Sequence, residues 1–382
     1  MNSRNLMVID LFAGVGGISL GAVRAGFHLA LAVELDRHAM AAHQLNFPNT
    51  NHWSVDISLI DGKQLLERAG LKKGELDGLA GGPPCQGFST MGKRSVSDPR
   101  NNLFVKFFEL IKDCQPKFFV VENVRGILHN QYDVIRTEAL KYVENDYVVL
   151  DPMRMKASDF GAPTNRERVF FIGYRSDAVQ PLLLKDFEAV KVSTPTTVAD
   201  ALRGLPTRIN EQWLTEPESW RPVRPLPESP YWDRVSGQIP EGVGDNDALE
   251  KLTKKRLTSG CFGTRHSLEV VKRYSQLKPG EADKISKSIR LKPDGLCPTL
   301  RAGTGSDRGS YQAVRPIHPT LPRVITPREA ARLQGFPDWY RFAPSKWHSF
   351  RQIGNSVSPL LAESIMAVIR NALVNQQLEG QV

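Results

Sequence analysis

The stretch Leu6-Met7-Val8-Ile9-Asp10-Leu11-Phe12-Ala13-Gly14-Val15-Gly16-Gly17 sets the architecture of the chain. A short apolar run, Leu6–Ile9, passes into a glycine-rich loop, and a helical pattern follows over Ile18–Ala25. Glycines let a chain turn sharply and bring backbone close to a ligand, as the junction between a buried strand and the next helix requires. Apolar runs of strand length recur at Leu29–Val33, His52–Ile57, Leu76–Ala80, Phe118–Val121, Tyr147–Leu150 and Val169–Ile172. Amphipathic stretches separate them, among them Arg37–Leu45, Asn102–Cys114 and Val134–Val143. This alternation predicts an α/β fold over residues 1–175, a doubly wound, mostly parallel sheet with helices on both faces.

After Arg175 the rhythm fails. Residues 176–322 hold 15 of the 26 prolines, and proline removes backbone donors, so a second, smaller and irregular domain is expected there. Helical order returns at Thr326-Pro327-Arg328-Glu329, a capping box with proline in the first turn, and Ser358–Val374 is a long amphipathic stretch. Residues 323–382 are therefore expected to pack back onto the first domain. With 382 residues, 41% apolar and 24% charged, the chain can bury a large core. No uninterrupted apolar run approaches the roughly 18 residues of a membrane span, and Asp10 breaks the only candidate signal segment. A cytoplasmic protein without membrane association is expected. The cysteines, Cys85, Cys114, Cys261 and Cys297, are far apart, with no spacing for a metal site or a disulfide framework.

Charge is unevenly distributed. The formal net charge is +9, yet residues 251–322 alone carry 15 basic and 5 acidic side chains, a net of +10. One segment thus holds the whole positive excess, as a phosphate-binding surface would, although a solvated basic face has the same composition.

Three strand ends carry candidate ligand groups. Gly14 and Gly16 are followed by Ser19 where a dinucleotide fingerprint needs its last glycine. Asp10, placed beside the loop, would repel a pyrophosphate and welcome an ammonium. Glu34 ends the second strand and suits a pair of ribose hydroxyls. Asp56 and Ile57 offer an acceptor and an apolar wall for adenine. The set fits S-adenosylmethionine better than a nicotinamide cofactor.

Gly81-Gly82-Pro83-Pro84-Cys85-Gln86-Gly87-Phe88-Ser89 follows the fourth strand, at the edge where open α/β sheets bind ligands. Prolines stiffen the approach and glycines let backbone come close, so the Cys85 thiol is a candidate nucleophile. Glu122, at the end of the next strand, would face the same cleft. A poorly solvated carboxyl favours its proton, so Glu122 is a candidate acid, or else a capping or ion-paired carboxylate. Arg166 and Arg168 alternate ahead of the last strand and so share a face, where they could hold a carbonyl oxygen and orient Glu122.

The order of these motifs, DLFAGVGG, VELD, DI, GGPPCQGFS, ENV, RER, a basic insert, REAARLQGFPD and QIGNSVSP, resembles the cytosine-C5 DNA methyltransferase family over nearly the whole chain except about residues 176–290. The resemblance implies a class I S-adenosylmethionine-dependent methyltransferase sheet with a target-recognition domain opposite it across a DNA cleft. It places the cofactor on Phe12, Gly14, Gly16, Glu34, Asp56, Ile57, Pro83, Leu103, Asn355 and Ser356, with Asp10, Ala13, Gly17 and Leu35 as neighbouring candidates. It makes Cys85 the nucleophile, Glu122 the acid and Arg166 and Arg168 their partners, without a metal. The family's arginine motif usually opens with Gln, where Thr164 stands.

The implied substrate is double-stranded DNA, from which the target base must swing out. The loop after Cys85, with Lys93 and Arg94, could close over that base. Thr299, Leu300, Arg301, Thr304 and Arg308 are candidate DNA contacts, the arginines to guanine or to phosphate. The expected enzyme is a monomeric, sequence-specific DNA cytosine-C5 methyltransferase, the modification partner of a restriction endonuclease. A tRNA methyltransferase on the same core and a catalytically silent DNA-binding module are the alternatives.

Overall fold

The computed structural model describes residues 5–84, 102–209, 219–225, 228–236, 239–302 and 315–379. Its first half alternates β1 (Met7–Leu11), α1 (Gly17–Arg24), β2 (His28–Val33), α2 (Arg37–Asn46), β3 (Asn51–Trp53), α3 (Gly62–Ala69), β4 (Gly78–Gly81), α4 (Asn102–Cys114), β5 (Phe118–Asn123) and α5 (Asp133–Leu140). Three further strands complete the sheet: β6 (Val148–Val149), β7 (Met153–Lys156) and β8 (Glu167–Tyr174). The strand order is β3-β2-β1-β4-β5-β8-β6, with β7 also on β8. Strands β1 to β5 run parallel, whereas β8 is antiparallel to β5, β6 and β7. The chain winds outward in both directions from β1 and β4, so the loops after those two strands diverge at the sheet's carboxyl edge and open a crevice.

Both faces are covered, as the doubly wound reading requires. On α4, Phe104, Phe107, Phe108 and Ile111 form one helical stripe and pack with Ile9, Leu11 and Leu31. The opposite face, with Val8, Leu20 and Leu29, is covered by the C-terminal segment.

That segment follows an irregular region: α6 (Leu184–Ala189), α7 (Val198–Leu202), the pair β9 (Arg221–Pro222) and β10 (Leu257–Thr258), α8 (Pro230–Ser236), α9 (Asn246–Lys255) and α10 (Leu268–Gln276). Then come α11 (Pro327–Leu333), α12 (Lys346–Asn355) and α13 (Pro359–Glu379). The Thr326 capping box is present as read, with Thr326 Oγ1 accepting from Glu329 N and the Glu329 carboxylate from Thr326 N. Among the described residues, Val198, Ala201, Tyr231, Trp232 and Leu300 of the irregular region share one apolar cluster with Leu20 and α13. Arg332 ties the regions together, paired with Asp338 at 2.6 and 2.8 Å, donating to Ala201 O and Arg203 O, and lying over Trp232.

Three local features refine the sequence reading. The stretch Lys346–Leu378 is long and apolar enough by average composition to cross a membrane, though it holds no uninterrupted apolar run of that length, and 67% of its most apolar part is buried inside the protein. It works as core: α13 lies so close to α1 that a Cβ on Gly21 would sit 2.4 Å from Ala362 Cβ. The strand expected over His52–Ile57 stops at Trp53, because Asp56 caps the turn Ile57–Leu59 by accepting from Ser58 N and Oγ. Helix α3 was not read from the sequence, although Asp61 and Gln64 form a capping box and Gly70 stops it in the left-handed conformation.

Candidate active site

The first part of the site lies where β1 and β2 end. Phe12, Gly14 and Gly16 all have left-handed backbone, with φ of 56°, 58° and 94°. The glycines differ in what surrounds them. A Cβ on Gly16 would meet Phe47 and Tyr340, and one on Gly17 would lie 2.2 Å from Ser356 Oγ. On Gly14 it would find only Phe12 O at 3.9 Å. Gly16 and Gly17 thus serve packing against the C-terminal segment, and the loop is open to a ligand at Gly14. Ala13 is buried and its N–H donates to Val33 O.

Glu34 stands beside this opening. Its Oε2 accepts from Gly14 N at 2.8 Å and its Oε1 from Asp36 N at 2.7 Å, while burial pushes its carboxyl above the usual range. Leu35 is exposed, Ile57 buried and Leu103 half-buried in the first turn of α4. Asn355 ends α12 exposed, and Ser356 caps that helix with Oγ donating to Val357 O. A half-buried acid beside backbone that a ligand can reach suits the ribose and amino-acid parts of S-adenosylmethionine.

Asp10 does not join them. Alternation along β1 sends it to the α1 face, where Oδ2 accepts from Ser19 Oγ at 2.5 Å. Ser19 Oγ lies 3.0 Å from His43 Nε2, and His43 Nδ1 lies 2.9 Å from His52 Nε2. Burial pushes the Asp10 carboxyl up to about 7 and His43 well below the ordinary imidazole value. The sequence reading of Asp10 as a cofactor contact is therefore corrected: it heads a buried polar chain. Ser19, taken only as a missing glycine, is its partner, and His43 and His52 gave no sequence signal.

The second part lies where β4, β5 and β8 meet. Because β4 and β5 are parallel with Gly81 opposite Val121, Gly82 falls beside Glu122, and a Cβ there would lie 2.8 Å from Glu122 Oε2. Asn123, which sequence reasoning passed over, donates from Nδ2 to Pro83 O at 3.4 Å. Arg168 Nε lies 2.7 Å from Glu122 Oε1, with both side chains largely buried. Cys85 follows Pro84 directly and lies outside the described residues, as do Lys93, Arg94, Thr304 and Arg308.

The two arginines part company. Arg168 pairs with Glu122, whereas Arg166 is buried and donates from Nη1 to Leu300 O at 3.2 Å. The segment around it is laced to the end of the irregular region: Asn165 N donates to Cys297 O, Cys297 N to Pro163 O, and Thr299 Oγ1 to Asn165 O. Thr164 is buried, and its hydroxyl has no hydrogen-bond partner among the described residues. Leu300 is only 3% exposed, so its side chain belongs to the core, which corrects its reading as a DNA contact. Arg301 is exposed and its carbonyl accepts from Arg315 Nη1.

An open α/β crevice, a half-buried acid beside a glycine loop and a glutamate–arginine pair beside Gly82 are the features of a class I methyltransferase fold. The chain belongs to the family of C-5 cytosine-specific DNA methylases, whose model matches residues 6–371. It is a DNA cytosine-5 methyltransferase, and methyl transfer in this family draws on S-adenosylmethionine. Type II methyltransferase M.XorII of Xanthomonas oryzae pv. oryzae is 38% identical over 369 residues, 96% of this chain and 84% of that protein. Type II methyltransferase M.DdeI of Desulfomicrobium norvegicum is 35% identical, over 94% of this chain and 87% of that one. A crystal structure described as a DNA modification methyltransferase encoded within an E. coli prophage matches with a TM-score of 0.88 and 48% identity, covering 97% of this chain and 100% of that one. The S. pombe Dnmt2 methyltransferase, at 17% identity and a TM-score of 0.63 over 97% of this chain and 99% of that one, shares the fold.

Proposed function

We propose that the chain methylates carbon 5 of a cytosine flipped out of double-stranded DNA at a specific sequence, through a covalent bond between Cys85 Sγ and carbon 6. The observation that carries this reading is the Glu122–Arg168 pair, 2.7 Å apart and beside Gly82, three residues before Cys85. S-adenosylmethionine, held by Phe12, Gly14, Glu34, Asp56, Ile57, Pro83, Leu103, Asn355 and Ser356, supplies an electrophilic methyl group.

Carbon 5 of cytosine is a poor nucleophile, and the residues overcome this covalently. The Cys85 thiolate adds to carbon 6 as Glu122 gives its proton to ring nitrogen 3, and the displaced electron pair makes carbon 5 nucleophilic. Arg168 pairs with the Glu122 carboxyl, and in this reading it also binds the carbonyl at position 2. After methyl transfer, a base removes the carbon 5 proton, the C5–H electron pair re-forms the C5=C6 double bond as Cys85 Sγ leaves as thiolate, and ring nitrogen 3 returns its proton to Glu122. Residues 1–175 supply this chemistry. Residues 176–322 supply recognition through Arg301, Thr304 and Arg308, with Thr299 and Arg166 fixing the base of that segment. Lys93 and Arg94, in the stretch of sequence after Cys85, contact DNA, and 323–382 completes the cofactor side.

The names of the Type II relatives support a modification role paired with a restriction endonuclease; that this role is exercised by a monomer in the cytoplasm is part of the same proposal. Bisulfite sequencing of unmodified plasmid DNA after incubation with the protein and S-adenosylmethionine tests the reading. Cytosines protected within one short recurring sequence, and left unprotected by Cys85→Ala, are the expected result. No protection by a protein that binds the cofactor overturns it.

A further inference from the structure

The three segments assigned to the cofactor are joined in a closed ring of contacts. Gly14 N donates to Glu34 Oε2, and Glu34 Oε1 accepts from Asp36 N. Asp36 Oδ2 accepts from Arg351 Nη1 at 2.8 Å, which carries the ring across 315 residues of sequence to α12. Helix α12 ends at Asn355, and Ser356 beyond it presses on Gly17, back in the glycine loop. Two further contacts reinforce the charged link. Gln352 Nε2 donates to His38 O at 2.8 Å, and the His38 and His348 rings are in contact, tilted by 32° with centroids 3.7 Å apart.

We propose that the Asp36–Arg351 ion pair is a positioning device for the cofactor. It holds the helix that carries Asn355 and Ser356 at a fixed distance from Glu34, so the opposite sides of the ligand meet preformed walls. The inference rests on the cofactor assignment above. Asp36 has a second task, since its Oδ1 accepts from His38 N and Ala39 N as the N-cap of α2. Asparagine caps helices as well as aspartate does, so Asp36→Asn removes the charge while keeping the cap. Neither residue of the pair is needed for the core: both are partly exposed, at 30% for Asp36 and 39% for Arg351. Their effect on global stability is accordingly small, whereas an ordering effect on a ligand appears in its affinity.

The test measures cofactor binding by calorimetry, together with steady-state methyl transfer, for the wild type, Arg351→Ala, Arg351→Lys, Asp36→Asn and the double variant Asp36→Asn/Arg351→Ala. Expected are a roughly five- to twenty-fold rise in Kd and KM for S-adenosylmethionine in Arg351→Ala and Asp36→Asn, with partial recovery in Arg351→Lys. The double variant should be no worse than the single ones, because the second change removes an interaction already lost. The value of kcat and the KM for DNA should stay within about twofold, and the melting temperature should not move. Unchanged cofactor affinity in variants of a wild type that binds it overturns the proposal, as does full additivity in the double variant or a loss of kcat alone. A wild type that does not bind S-adenosylmethionine instead refutes the cofactor assignment itself.

Discussion

Replacing Asp10 with asparagine should make the protein's stability less dependent on pH, with a sign the structure dictates. Asp10 is buried beneath α1 and its carboxyl is pushed from 3.8 up to about 7 by desolvation, against the lowering effect of Ser19. The folded protein therefore binds a proton at Asp10 more tightly than the unfolded chain does. The stabilisation this gives is fully present below about pH 4, falls away as pH rises through the interval from 3.8 to about 7, and is gone above it. Each tenfold difference in proton affinity is worth about 1.36 kcal/mol, so the rise sets an upper bound of about 4 kcal/mol on the change across that interval. In Asp10→Asn the side chain still accepts from Ser19, so the neighbouring packing is kept. The new amide faces the position of Oδ1, which has no hydrogen-bond partner among the described residues. That mismatch adds a penalty of about 1–3 kcal/mol at every pH. The measurement is urea unfolding of both proteins, followed by tryptophan fluorescence, at steps from about pH 4.5 to about pH 8.5. Titrating groups away from the Asp10–Ser19–His43 chain are common to both and cancel in the difference. Relative to the wild type, Asp10→Asn should gain stability steadily up to about pH 7 and hold that gain beyond. A difference that stays level throughout would show that Asp10 is as acidic in the folded protein as in the unfolded chain, and the burial argument would be wrong.

Two further outcomes follow from the site and its scaffold. Glu122→Gln keeps the size of the side chain and its place beside Gly82 but cannot donate the carboxyl proton. The rate of methyl transfer from labelled cofactor to DNA should fall roughly 10²- to 10⁴-fold with cofactor affinity unchanged, and a loss below tenfold would remove Glu122 from the acid role. Arg332→Ala leaves Asp338 buried without its bidentate partner and frees the carbonyls of Ala201 and Arg203. Denaturant titration should show a loss of about 3–5 kcal/mol, and a loss under about 1 kcal/mol would mean that α7 and α11 are not held together by this side chain.

Most of the sheet was legible because its signals are local. The glycine loop after β1, the helix over Asn102–Cys114 and the capping box at Thr326 each lie within a dozen or so residues of sequence, and each formed where the pattern put it. The misreadings have equally local causes. Strand β7 is only four residues long, so its alternation of buried Met153 and Met155 with exposed Arg154 and Lys156 was too short to separate from its neighbours. Asp56 ended β3 early because a short acidic side chain competes for the backbone donors of the next turn.

The order of amino acids is enough to set the succession of strands and loops, the residue types at each strand end and the family to which the chain belongs. Which of those residues meet is settled only when the elements pack. Arg166 and Arg168 are two positions apart and look equivalent, yet one is tied to Leu300 O and the other to Glu122. Asp10 lies in the same motif as Gly14 but on the other side of the sheet, coupled to Ser19, His43 and His52. Asp36 and Arg351 sit in separate motifs, each ordinary when read alone, and only the packing of α12 beside α2 makes them a pair. A side chain's type is written in the chain, but its neighbour and its exposure to water depend on which faces the fold brings together, and those two quantities set its charge and its role.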